Sequence, residues 1–112
     1  MTRPGTMVSA WCCALAVGMA GAAPCAAQTT ADLQAAQWAS SCVTCHGAAR
    51  PVRGSTIPML AGRPAAQIEK QMREFAAGAR PGLLMRQIAR GYDERVVRGI
   101  ARWYAQLVPD KP

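Results

Sequence analysis

The chain has 112 residues, 51% of them hydrophobic, and carries a formal charge of +7 from 13 Lys and Arg against 6 Asp and Glu. That length holds one small domain and excludes a multi-domain architecture. The basic balance comes without any nucleic-acid-binding motif, which excludes nucleic acid and favours an acidic protein partner.

Residues 1–27 begin with Arg3 and continue as an apolar run from Val8 through Ala23. They end in Pro24-Cys25-Ala26-Ala27 before the polar Gln28. A short basic region, an apolar core and small residues at the cut are the parts of a secretory signal peptide. The run is short and Gly/Ala-rich for a membrane span, so an uncleaved anchor is the weaker reading. A lipoprotein at Cys25 is weaker still, because Pro24 stands where a small residue is expected. Export to the periplasm follows, with residues 28–112 as the functional domain. Of the 13 Lys and Arg only Arg3 precedes residue 28, which leaves twelve against 6 acids, a net +6. Cys12, Cys13 and Cys25 belong to the leader. Only Cys42 and Cys45 remain, so no structural disulfide is expected.

Thr29 to Ser41 predicts a first helix, with Thr30 or Asp32 as its cap and good helix formers behind. Leu33, Gln37 and Trp38 give it one buried edge. It runs into Cys42-Val43-Thr44-Cys45-His46. Two cysteines separated by two residues and followed at once by histidine form the attachment signature of c-type haem. Each thiol adds to one porphyrin vinyl group, and the adjacent imidazole is then placed to bind iron. A thioredoxin-like pair would need a strand–helix–strand context, which is absent. A zinc site would need further ligands downstream, and no Cys or His follows His46.

Gly47 to Gly62 is a loop punctuated by Pro51, Gly54, Pro58 and Gly62, suited to wrapping a cofactor edge. Pro64 opens a second helix, since proline is favoured at the first helical position. Ile68, Met72 and Phe75 fall at i, i+4 and i+7 as an apolar stripe, and Gly78 ends it. After the Arg80-Pro81-Gly82 break, Leu83 to Arg90 predicts a short helix closed by Gly91. Asp93 caps a last helix from Glu94 to Leu107, stopped by Pro109. Val96, Val97, Ile100, Trp103, Tyr104 and Leu107 form its buried face; Arg95, Arg98 and Arg102 lie opposite. There is no strand pattern and no internal repeat, so one haem per chain is expected. Large apolar residues are few for a domain of this size. A haem would supply the missing centre, so the haem-free chain is expected to fold poorly.

On the Cys42–His46 motif and the helical pattern behind it, the chain resembles the class I cytochromes c. The resemblance covers Trp38 through about Leu107. It implies a small all-α fold of three to five helices wrapped around one covalent haem. Ile57-Pro58-Met59-Leu60-Ala61-Gly62 is similar to the loop before the third helix in the cytochrome c4-type branch, whose members carry two haems; this chain resembles one half. Leu83 to Tyr92 is similar to the axial-methionine segment in the cytochrome subunit of flavocytochrome c sulfide dehydrogenase.

The resemblance implies His46 and a methionine as axial ligands. Met72 lies on an apolar stripe, where packing is the commoner role. Met59 and Met85 both remain candidates, with Met85 favoured because it matches the family's ligand position. The resemblance also implies that the Pro58 carbonyl orients the imidazole of His46, as second-shell hydrogen bonds do. Arg63 and Tyr92 could reach haem propionates. Trp103 and Tyr104 are expected to pack the last helix against Trp38 and the first. The function implied is electron transfer rather than enzymatic catalysis, because both axial positions would be filled and no acid–base or nucleophile constellation is visible: there is no second histidine, and the six acids are scattered. Two roles compete: a free periplasmic shuttle, and an electron-accepting subunit of a periplasmic dehydrogenase complex, with a flavoprotein among the partners considered. A five-coordinate haem sensor requires that neither Met85 nor Met59 ligates.

Overall fold

The computed structural model describes residues 28–110, so the leader expected over residues 1–27 lies outside the described residues. Four helices follow in order: α1 (Thr30–His46), α2 (Ala65–Ala77), α3 (Leu83–Arg90) and α4 (Glu94–Gln106), with no strand among the described residues. The fold is all-α, as the sequence predicts. None of these helices is long and apolar enough to cross a membrane.

The helix ends follow from local chemistry. Thr29 caps α1, rather than Thr30 or Asp32, because Asp32 occupies the third helical position and completes a reciprocal capping box. The Thr29 hydroxyl accepts from the Asp32 backbone N–H at 3.2 Å, and the Asp32 carboxylate accepts from the Thr29 N–H at 3.1 Å. Pro64 caps α2, and Gly78 closes it in the left-handed conformation. Asp93 caps α4, its carboxylate accepting from the Val96 N–H at 2.8 Å.

Two expectations about α1 need correction. It does not stop at Ser41 but runs through Cys42–His46, because no breaker appears before Gly47. Its buried edge is not Leu33 and Gln37, since Leu33 is 55% exposed. The buried face is Ala35, Ala39 and His46, with Trp38, Cys42 and Val43 half-buried. Small residues line that face because α4 lies against it. A Cβ placed on Gly99 of α4 would sit 2.6 Å from Cε3 of Trp38. Glycine costs about 1 kcal/mol relative to alanine in a helix interior, and here it permits the approach. The Arg95 guanidinium lies over the same ring, 5.3 Å from its centroid.

The packing divides into two helix pairs. α1 packs on α4, α3 packs on α2, and the α2–α4 contact joins the pairs. Ile68, Met72, Ala89, Val97, Ile100, Ala101 and Tyr104 form the shared core with Ala39. Tyr104 is the large side chain with no solvent exposure, and the Trp103 ring meets it edge-on with centroids 4.8 Å apart. Tyr104 does more than pack against α1: its hydroxyl donates to the Gly47 carbonyl at 3.0 Å, beyond the end of that helix.

Candidate functional site

The last turn of α1 sets the first wall of the site. Cys42 and Cys45 stand one turn apart on the helix, so both sulfurs fall on one side, and His46 follows at the helix end. Cys42 is half-buried and Cys45 exposed, both as free thiols. Burial pushes the Cys42 thiol above its ordinary range, with a smaller opposing effect from the Ser41 hydroxyl.

Gly47 then reverses the chain. Its φ of +71° is left-handed, and a Cβ there would lie 1.8 Å from the Arg50 carbonyl oxygen, so only glycine makes the turn. The loop that follows returns Pro58 to His46. The His46 Nδ1–H donates to the Pro58 carbonyl at 2.7 Å. This fixes the ring's tautomer and leaves Nε2 as the nitrogen with a free lone pair. Among the described residues His46 is the one buried polar or charged side chain, and no buried side-chain N or O lacks a partner.

α2 and α3 close the opposite side. Between the walls lies a cavity of about 500 Å³. Cys42, Cys45 and His46 line it together with Pro58 and Met85, which stand 12 and 39 residues further along the chain from His46. Met72 and Phe75 of α2 line it too, so Met72 faces the cavity as well as the core. Met59 is not among the lining side chains. Its carbonyl instead accepts from the Arg63 guanidinium Nε at 2.7 Å, so Arg63 is engaged within its own loop. Tyr92 does line the cavity, with its hydroxyl 3.0 Å from the Ser41 hydroxyl.

Two features of the lining were not legible in the sequence. Ile57, Leu83 and Leu84 border the cavity yet are 40%, 77% and 64% exposed. All three have the chemistry of core residues, and the core does not take them. The second feature concerns the acids, none of which lines the cavity. Asp32 and Asp93 cap helices, and Asp110 pairs with Arg50. Glu69, Glu74 and Glu94 pair with basic side chains on or near their own helices.

The residues present fit a haem. Two thiols on one helix face, one imidazole with a free Nε2 and one thioether share a largely apolar cavity whose rim has apolar side chains left uncovered. A planar apolar group would cover those side chains, and the donor set suits haem iron. No three His, Cys, Asp or Glu side chains among the described residues converge as a zinc site requires.

No family model matches the chain. It is similar to two curated proteins, each named thiosulfate dehydrogenase electron acceptor. The protein of Thiomonas intermedia is 38% identical over 74 residues, which covers 63% of this chain and 33% of that protein. The protein of Stutzerimonas stutzeri is 35% identical over 69 residues, covering 59% of this chain and 32% of that protein. The chain thus spans about a third of the length of the relatives it matches.

Proposed function

We propose that this chain is an electron-accepting c-type cytochrome that serves a periplasmic dehydrogenase, with thiosulfate dehydrogenase as the favoured donor. Cys42 and Cys45 would carry one haem through thioethers, and His46 and Met85 would be its axial ligands. The observation that carries the reading is the His46–Pro58 bond at 2.7 Å, facing a cavity that also holds both thiols and Met85.

When bound, the haem supplies a single-electron ferric–ferrous couple. The chain's own residues do the rest. The Pro58 carbonyl holds the Nδ1 proton, which keeps Nε2 free and the ring at a fixed angle. The apolar lining from Phe75, Ile68 and Leu60 excludes water, which favours the less charged state of a buried centre. Met85 is favoured over Met59 because its side chain lines the cavity and that of Met59 does not. The names of the two similar proteins support the role of acceptor rather than enzyme.

The acceptor role takes precedence over the free shuttle because the two similar proteins are named for it. Export by residues 1–27, as the sequence leads us to expect, would put the protein in the periplasm with such a donor.

The test is the visible spectrum of the chain matured in a periplasm, followed by mixing with a thiosulfate dehydrogenase and its substrate. Sharp reduced bands that develop only with thiosulfate support the assignment. Reduction by a sulfide-oxidising flavoprotein alone would transfer the role to that donor class. Absence of covalent haem would defeat the reading altogether.

A further inference from the structure

We infer that the end of α4 and the segment after it, Tyr104 to Asp110, form a clamp that positions the His46 imidazole by holding the loop that carries its acceptor. The inference rests on the haem reading for its spectroscopic consequences, but the clamp itself is a feature of the protein.

The Pro58 carbonyl belongs to a stretch without helix or strand between α1 and α2. A carbonyl on an irregular loop aims at a ring nitrogen only if the loop is tied elsewhere. Its internal bonds are local, such as the Ser55 N–H to the Val52 carbonyl at 3.1 Å and the Ile57 N–H to the Ser55 hydroxyl at 3.1 Å. Among the described residues, its hydrogen-bonded ties to other elements run to Tyr104–Asp110, apart from the His46 bond and the helix-end bond from the Gly47 N–H to the Val43 carbonyl at 2.9 Å. The Tyr104 hydroxyl donates to the Gly47 carbonyl at 3.0 Å. The Gly62 N–H donates to the Tyr104 carbonyl at 3.0 Å, and the Asp110 N–H to the Ala49 carbonyl at 2.9 Å. Arg50 pairs with the Asp110 carboxylate. Pro109 lies against Gly62, where an added Cβ would meet its ring at 3.0 Å.

These ties are not equal. The Arg50–Asp110 pair is exposed, so water screens it and it contributes little. The Tyr104–Gly47 bond is buried, and it grips the residue directly after His46. Tyr104 therefore holds both ends of the loop, through its side chain at Gly47 and through its backbone at Gly62. Deleting the hydroxyl leaves a buried carbonyl unpartnered at the loop's start. Tyr104 is a positioning residue: it acts on His46 only through the chain between them.

The experiment uses the haem-loaded full chain and compares Tyr104→Phe, Asp110→Pro and Val97→Ala. Asp110→Pro removes the N–H and the carboxylate from the exposed tail without touching the core. Val97→Ala weakens the same helix at a residue that makes none of these ties. The readouts are hydrogen exchange of the His46 Nδ1–H by NMR and the reduction potential.

Tyr104→Phe should speed that exchange at least about fivefold, the effect of losing one buried hydrogen bond. It should also raise the potential, because a looser Nδ1–H bond makes the imidazole a poorer donor to ferric iron. Asp110→Pro should shift both in the same direction by less, and Val97→Ala should leave both in place. Unchanged exchange in Tyr104→Phe and Asp110→Pro overturns the clamp. So does an equal shift in Val97→Ala, which would make Tyr104 a packing residue only. If the wild-type chain carries no haem, the functional reading falls and the clamp is judged on the haem-free ring by ¹⁵N spectra. A fixed Nδ1-protonated tautomer that Tyr104→Phe loosens supports it, and a ring with no fixed tautomer overturns it.

Discussion

The two walls of the cavity are built differently. The histidine wall is tied across the whole sequence: α1 lies on α4, Gly99 admits Trp38, and the loop bearing Pro58 is fastened at both ends to Tyr104. The methionine wall hangs on fewer supports. α3 packs on α2, and its side-chain hydrogen bond to that helix among the described residues is from the Arg90 guanidinium to the Ala76 carbonyl at 3.2 Å. Leu83 and Leu84 at its start are exposed. A segment with few buried contacts opens at lower free energy than the core. The difference teaches that one side of this site is set by the fold, while the proposed haem would complete the other.

The strongest way to break the comparison is to remove the filling. Cys42→Ala with Cys45→Ala should abolish covalent haem attachment, read by mass, and the unloaded chain should lose its cooperative melt by circular dichroism. A sharp melt in that variant would mean that the walls need no centre. Gly99→Ala tests the histidine wall. Despite alanine's better helix propensity, it should destabilise the loaded protein by about 1–3 kcal/mol, because the new methyl meets Trp38. Unchanged stability in denaturant would show that the ring yields freely.

Met85→Ala addresses the methionine wall. Its melting midpoint should fall less than that of Gly99→Ala, since α3 packs on α2 alone. The Met–iron charge-transfer absorption should vanish and carbon monoxide should bind; a surviving band would return Met59 as ligand.

Alkaline pH separates the walls through Tyr104, whose phenol burial pushes well above its usual 10.0. The folded state keeps this proton where the unfolded chain loses it. Stability from the group is therefore complete below pH 10.0 and declines as pH rises above that value. Tyr104→Phe should flatten the alkaline limb of a stability–pH curve, and an unaltered limb would assign it to other groups. Asp93→Ala should give the smallest change, about 1 kcal/mol from the lost α4 cap and with no shift in the visible spectrum.

Much of this molecule was legible before its structure was known. The bounds of α2, α3 and α4 follow from Pro64, Gly78, the Pro81-Gly82 break, Gly91 and Asp93, all of which act within a turn of themselves. The buried face of α1 was misread because hydrophobic periodicity registers large side chains, and this face is made of alanines. Leu83 and Leu84 are the opposite case: they have core chemistry and stand at the rim.

By itself the sequence determined α2, α3, α4, the Asp93 cap and the chemistry available at Cys42, Cys45, His46 and Met85, because those depend on residue type and on spacings of a few residues. Only the tertiary structure decided that the four meet in one cavity and that Met59 stays out of it. It also decided that Tyr104 grips the loop behind His46. The reason is distance along the chain: His46 to Pro58 spans 12 residues and Gly47 to Tyr104 spans 57. Contacts of that reach are selected by how helices pack, which no local pattern encodes.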